Sequence, residues 1–170
     1  MAVTDTAIHE IDVLHWLLGD DWKTAQVIFG ANTNAAHEGL MDPQVMIMQT
    51  KGGVTVFLEV YVNCKFGYDI NCEVVCEDGV INLPAPAYPT VRKDCQISTP
   101  IEQNWINRLI DSYDVELADW IDGVFEGKVN GPTAWDGYIA EVTADALVAA
   151  QKSGQIETVD FGCETPEFYK

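Results

Sequence analysis

Basic residues are scarce in this 170-residue chain: nine Lys and Arg stand against 27 Asp and Glu, for a formal charge of -18. Such acidity repels phosphate backbones and anionic lipid, so neither nucleic acid nor a membrane surface is expected as a partner. Also missing is any Gly-rich phosphate loop of the GxGxxG or GxxxxGK type, and without one nothing in the chain looks able to hold a nucleotide. The five cysteines, Cys64, Cys72, Cys76, Cys95 and Cys163, are odd in number and include no CxxC pair, which argues against a zinc knuckle and a disulfide framework. No apolar run reaches the roughly 18 residues of a membrane span, and no signal peptide is visible. The expectation is a soluble, reduced, cytoplasmic protein. Internal repeats and low-complexity segments are absent as well.

What is present suits a folded protein. The content is 48% hydrophobic and 21% charged, and 170 residues suffice for one compact domain with a real core.

One stretch concentrates chemistry. In Asp5-Thr-Ala-Ile-His9-Glu-Ile-Asp12-Val-Leu-His15-Trp16-Leu-Leu-Gly19, the residues Ile8, Ile11, Leu14 and Leu18 recur at three and four positions, as on a helix with one buried side. Thr4 or Asp5 is the expected cap and Gly19 the expected stop. At 3.6 residues per turn, Asp5, His9, Asp12 and Trp16 share a second stripe. A histidine with one carboxylate a turn before it and another a turn after can handle a proton near neutrality, because a flanking carboxylate favours its charged form and orients its ring. Spacing leaves two other readings open. An Asp-His pair four apart is also an ordinary surface pair, worth a few tenths of a kcal/mol, and Asp5, His9 and Asp12 are of the right types to hold a divalent metal.

The rest reads as scaffold. Trp22–Phe29 predicts a strand and 31–39 a loop. Gln44–Gln49 and Val54–Val62 flank Lys51-Gly52-Gly53 as a hairpin. Tyr68–Val75 is expected as a third strand turning through Glu77-Asp78-Gly79 into Val80–Leu83, with a further strand at Thr90–Lys93. One long helix, or two broken near Asp114, is expected over Asn104–Phe125. Another over Ala134–Lys152 enters through Gly131-Pro132-Thr133 and ends at Gly154. Ile156–Asp160 closes the pattern as a short strand. The fold class is therefore α+β, with an open, mostly antiparallel sheet and helices packed on one face. Phe57 and Tyr61 make the second face of the hairpin strand partly apolar, so either another subunit or the chain's own loops cover it.

Four motifs in order, Asp5-Thr-Ala-Ile-His9-Glu-Ile-Asp12 with Val-Leu-His-Trp16, Val62-Asn-Cys-Lys-Phe-Gly-Tyr68-Asp-Ile, Gly131-Pro-Thr-Ala-Trp-Asp-Gly-Tyr138 and Pro166-Glu-Phe-Tyr, resemble the glucose-fructose oxidoreductase / inositol dehydrogenase / rhizopine catabolism family. The resemblance spans the chain and implies its substrate-binding and oligomerisation domain, residues 1–170, without the amino-terminal Rossmann domain that holds NAD or NADP. It implies catalytic roles for His9 and Asp5 and substrate contacts from Asp12 and Tyr68, with no cofactor-binding or metal residues in this chain. The reaction implied is NAD-dependent oxidation of myo-inositol to its 2-ketone, the chain alone being inactive. Open alternatives are another inositol isomer or an aldose as substrate, or a stand-alone polyol-binding or assembly module. The partners implied are a small polyol and further copies of the chain, as a dimer or tetramer through the sheet face.

Overall fold

In the computed structural model, which describes residues 2–169, the chemistry-bearing helix is set by what it buries. Ala2, Val3, Ala7 and Ile11 line one side of it and enter the core. The segment opens as a wide, π-type turn over Ala2–Ala7 and continues as α1, Ile8–Leu18. The expected cap is not there: Ala7 precedes α1 without a side-chain bond, and the Thr4 hydroxyl lies 3.5 Å from Asp5 Oδ1 instead. The wide turn carries the chain into α1, so no capping side chain has a role at that point. Gly19 does end α1, in the left-handed conformation that glycine adopts without steric cost.

The strands β1 (Trp22–Phe29), β2 (Gln44–Thr50), β3 (Thr55–Val60) and β8 (Glu157–Thr158) form one antiparallel sheet in the order β3-β2-β1-β8. Alternation sends Ala25 and Val27 of β1, Met46 and Met48 of β2 and Val60 of β3 into the core. They meet α1 and the later helix α3 (Ala134–Ser153), whose Ile139, Ala140, Ala144 and Leu147 are buried in the same cluster. Gln151 Nε2 also donates to Gln44 Oε1 at 2.6 Å, tying α3 to β2. The fold is α+β, as expected, and both helices cover one face of the sheet. Where β3 ends, the buried Asp42 side chain accepts from the backbone N–H groups of Val62 (3.0 Å) and Asn63 (2.8 Å), so its oxygens are satisfied in the interior.

The chain divides into two compact units, with Met1–Cys64 and Pro132–Lys170 making the first and Lys65–Gly131 the second. The second is built from two small hairpins, β4 (Glu73–Val75) with β5 (Val80–Asn82) and β6 (Val91–Lys93) with β7 (Gln96–Ser98), and a long helix α2 (Ile106–Glu126). Two expectations are corrected here, and one left open, the long helix or two shorter ones, is decided. The strand expected over 68–75 shrinks to β4 because the Tyr68 N–H donates to Glu102 O at 2.6 Å instead of joining a ladder. Gly67 makes this possible, with φ at +117° and no room for a Cβ beside Ile101 and Glu102. Strand β7 went unforeseen because Asp94 and Cys95 take positive φ at a turn that carries no glycine. Finally, α2 is unbroken at Asp114.

The start of α3 is a full capping box: Thr133 accepts at its side chain from the Trp135 and Asp136 N–H groups, while Asp136 Oδ2 accepts from the Thr133 N–H at 2.6 Å. Burial alone would raise the Asp136 carboxyl, but the bonds from Thr133 outweigh it and hold it below the usual value. Thr133→Ala is expected to cost about 1 kcal/mol in chemical denaturation at neutral pH. The Asp136 share of this stability, present above the unfolded carboxylate range, should fade as pH falls through its lowered value; a Thr133→Ala midpoint equal to wild type would show that the box contributes nothing.

Candidate functional site

Burying Ala7 and Ile11 leaves the opposite side of the helix outward, and that side carries the predicted residues. Asp5 and His9 are exposed and Asp12 is half-buried. Trp16 stands on the same stripe with 76% of its surface exposed. The structure thus puts Asp5, His9 and Asp12 on one outward side of one helical segment, at the junction where the wide turn passes into α1. Wide turns of this kind occur often at functional sites. Tyr68, the fourth predicted residue, belongs to the second unit, where it sits half-buried in irregular chain after Gly67. Among the described residues, no group of three or more His, Cys, Asp or Glu could hold a metal ion.

The other histidine of α1 has a different job. His15 Nε2 lies 3.3 Å from Asp21 Oδ1, and Lys51 Nζ lies 2.9 Å from Asp21 Oδ2. Burial alone would raise the Asp21 carboxyl, yet the bonds and charges of Lys51 and His15 keep it below its usual value. Asp20 beside it accepts from the Gly52 N–H at 2.7 Å. Together these groups pin the β2–β3 turn to the end of α1, so His15 serves the scaffold. Its exclusion from the site was legible from its place off the stripe, whereas its partner Lys51, 30 residues beyond Asp21, carried no local signal.

Glu10 was not anticipated at all. Its Oε2 is buried with no hydrogen-bond partner, and burial raises its pKa, opposed by its own backbone bond and by the charge of His9. It follows His9 in sequence but leans to the other flank of α1, since neighbours one apart do not face each other on a helix.

A match to an oxidoreductase family model, in its C-terminal alpha/beta domain, runs over residues 1–161. The chain belongs to that family. Relatives include the inositol 2-dehydrogenases of Burkholderia ambifaria, 49% identical over all 170 residues and 50% of that relative, and of Paracoccus denitrificans, 53% identical over 91% of this chain and 46% of that relative. Among solved structures, the myo-inositol dehydrogenase of Lactobacillus casei, in complex with NAD(H) and myo-inositol, superposes with a TM-score of 0.94 at 39% identity, covering all of this chain and 51% of that one. The chain therefore spans about half the length of the relatives it matches. The pairings of the four-stranded sheet are antiparallel, and among the described residues no glycine-rich turn leads from a strand into a helix. No described helix is long and apolar enough to cross a membrane.

Glu10 yields a pH signature. Its raised pKa means that the folded chain holds the proton more tightly, so its contribution is complete below the usual 4.5 and is lost as pH rises through the raised value. Glu10→Gln should raise Tm by a few degrees at pH 7 and leave it unchanged near pH 4; equal Tm values at both would refute the assignment.

Proposed function

We propose that this chain is the substrate-binding half of an NAD-dependent inositol 2-dehydrogenase that oxidises myo-inositol to 2-keto-myo-inositol in the cytoplasm. The observation that carries the reading is the Asp5, His9, Asp12 face of α1, displayed outward in a chain 39% identical to a Lactobacillus casei enzyme whose complex contains NAD(H) and myo-inositol. Relatives near half identity bearing the name inositol 2-dehydrogenase support it.

In this reading His9 removes the proton from one ring hydroxyl. Losing that proton raises the electron density on the carbon and makes it a better hydride donor, which is what a general base contributes to this oxidation. Asp5, one turn earlier, orients the imidazole and stabilises its charged form. Asp12 and Tyr68 accept and donate hydrogen bonds to further hydroxyls, and a polyol needs several such partners because each hydroxyl left unpaired on desolvation costs on the order of 1–3 kcal/mol. NAD supplies the two-electron acceptor when bound, and its site lies in an amino-terminal half not contained in these 170 residues. The chain alone is therefore inactive.

The far side of the sheet supports assembly with further copies. Ile28 faces Val45 across β1 and β2, and Ile47 faces Phe57 across β2 and β3, which makes an apolar strip on the side away from α1 and α3. Phe57 is 73% exposed, and apolar strips of this kind mark protein contacts. Phe57→Asp should lower the sedimentation mass towards that of one chain; an unchanged mass would remove the sheet face as the oligomer contact.

The catalytic assignment is tested by NAD reduction with myo-inositol in a polypeptide carrying both halves. His9→Ala is expected to lower kcat by roughly 10²–10⁴-fold with the fold intact. Retained activity would return Asp5 and His9 to an ordinary surface pair.

A further inference from the structure

Helix α2 is amphipathic, and nothing described in its own unit covers its apolar side. Ile106, Ile110, Tyr113, Leu117, Trp120 and Val124 recur at three and four residues along it and are all exposed, Trp120 by 62%. Gly123 is the one buried residue of the helix. The Trp105 and Tyr113 rings meet at a tilt at its start, their centroids 6.1 Å apart. The ends are held by polar contacts: the Arg108 guanidinium donates to Ile70 O at 3.0 Å, and Asn130 Nδ2 donates to Asp119 O at 3.1 Å. The helix is thus anchored while its apolar side is left free. Helices of this sort draw most of their stability from packing such a face.

The charges around that face select the occupant. Six acidic residues on α2 stand against one basic residue, Arg108. Asp114 and Glu116 border the apolar strip on either side, by their positions on the helical wheel. A second copy of α2 placed across a twofold axis would set acidic borders against acidic borders, which is unfavourable. With nine Lys and Arg against 27 Asp and Glu, this chain is also poor in the basic rim that would complement them. The relatives are twice as long as the matched region, and the matched region is the C-terminal domain. A neighbour joined in the same polypeptide meets this face at high effective concentration.

We propose that the apolar face of α2 is the docking surface for the amino-terminal half of the longer polypeptide, which meets it with an apolar floor and a Lys/Arg rim. This rests on the reading above that such a half completes the enzyme, and extends it by naming where that half is held.

The test compares amide hydrogen exchange over residues 106–126 in this chain and in the same chain preceded by the amino-terminal half of the Burkholderia ambifaria relative. In the longer protein α2 should exchange at least roughly tenfold more slowly, and dilution should not alter this. Leu117→Asp should abolish the protection there while leaving the Tm of the short chain unmoved, because Leu117 is 56% exposed in it. NAD binding by the longer protein reports that its first half is folded. With NAD bound, α2 exchanging as fast as in the short chain overturns the proposal. So does protection in the short chain that rises with its own concentration, which would make the occupant a second copy. A longer protein that protects α2 yet does not oxidise inositol would refute the functional reading and leave the docking surface standing.

Discussion

The burial of one side of the first helix, through Ala7 and Ile11, is the constraint on which the arrangement of functional groups depends. Those two side chains enter a core shared with Met46 and Met48 of the sheet and with Ala140, Ala144 and Leu147 of α3. The alanines matter because small residues let a helix lie close to its neighbours. Once that side is committed to the core, the rotation of the helix is no longer free, and Asp5, His9 and Asp12 must face outward. The orientation of the candidate base is thus a consequence of apolar packing, and each kcal/mol lost from the core loosens the chemistry with it.

Polar contacts then hold the ends that the apolar core does not reach. Asp21 joins His15 of α1 to Lys51 of the β2–β3 turn, and Asp42 satisfies the backbone where the chain leaves β3. Such bonds are modest individually, but at a buried carboxylate like Asp42 the cost of an unmade bond is larger than the gain of a made one. An acidic protein gains twice from spending its few lysines in this way: Lys51 lowers local repulsion and, lying 5.5 Å from the Phe161 ring, also takes part in the packing of the carboxy-terminal segment.

Two apolar surfaces stay exposed after this chain has folded, the strip around Phe57 on the sheet and the face of α2. They differ in their surroundings. Glu59 and Thr55 make a mixed rim around Phe57 that a second copy can share, whereas α2 is bordered by acids that a second copy would repel.

The sequence by itself determined the local features: the strand over Trp22–Phe29, the hairpin at Lys51-Gly52-Gly53, the end of α1 at Gly19 and the helix entered through Thr133. It also carried the family motifs that make Asp5, His9, Asp12 and Tyr68 the candidate site residues. These are legible because periodicity, caps and turns act over a few neighbouring residues. Tertiary structure alone decided the rest. Tyr68 left its expected strand because Glu102, 34 positions away, took its N–H. Asp94 and Cys95 were held at positive φ by the pairing of β6 with β7. Glu10, polar and beside His9, lost its solvent through contacts that its neighbours in sequence do not announce. Each of these depends on groups brought close only when the chain folds, and hydrogen bonds and desolvation act on distance in space rather than on distance along the chain.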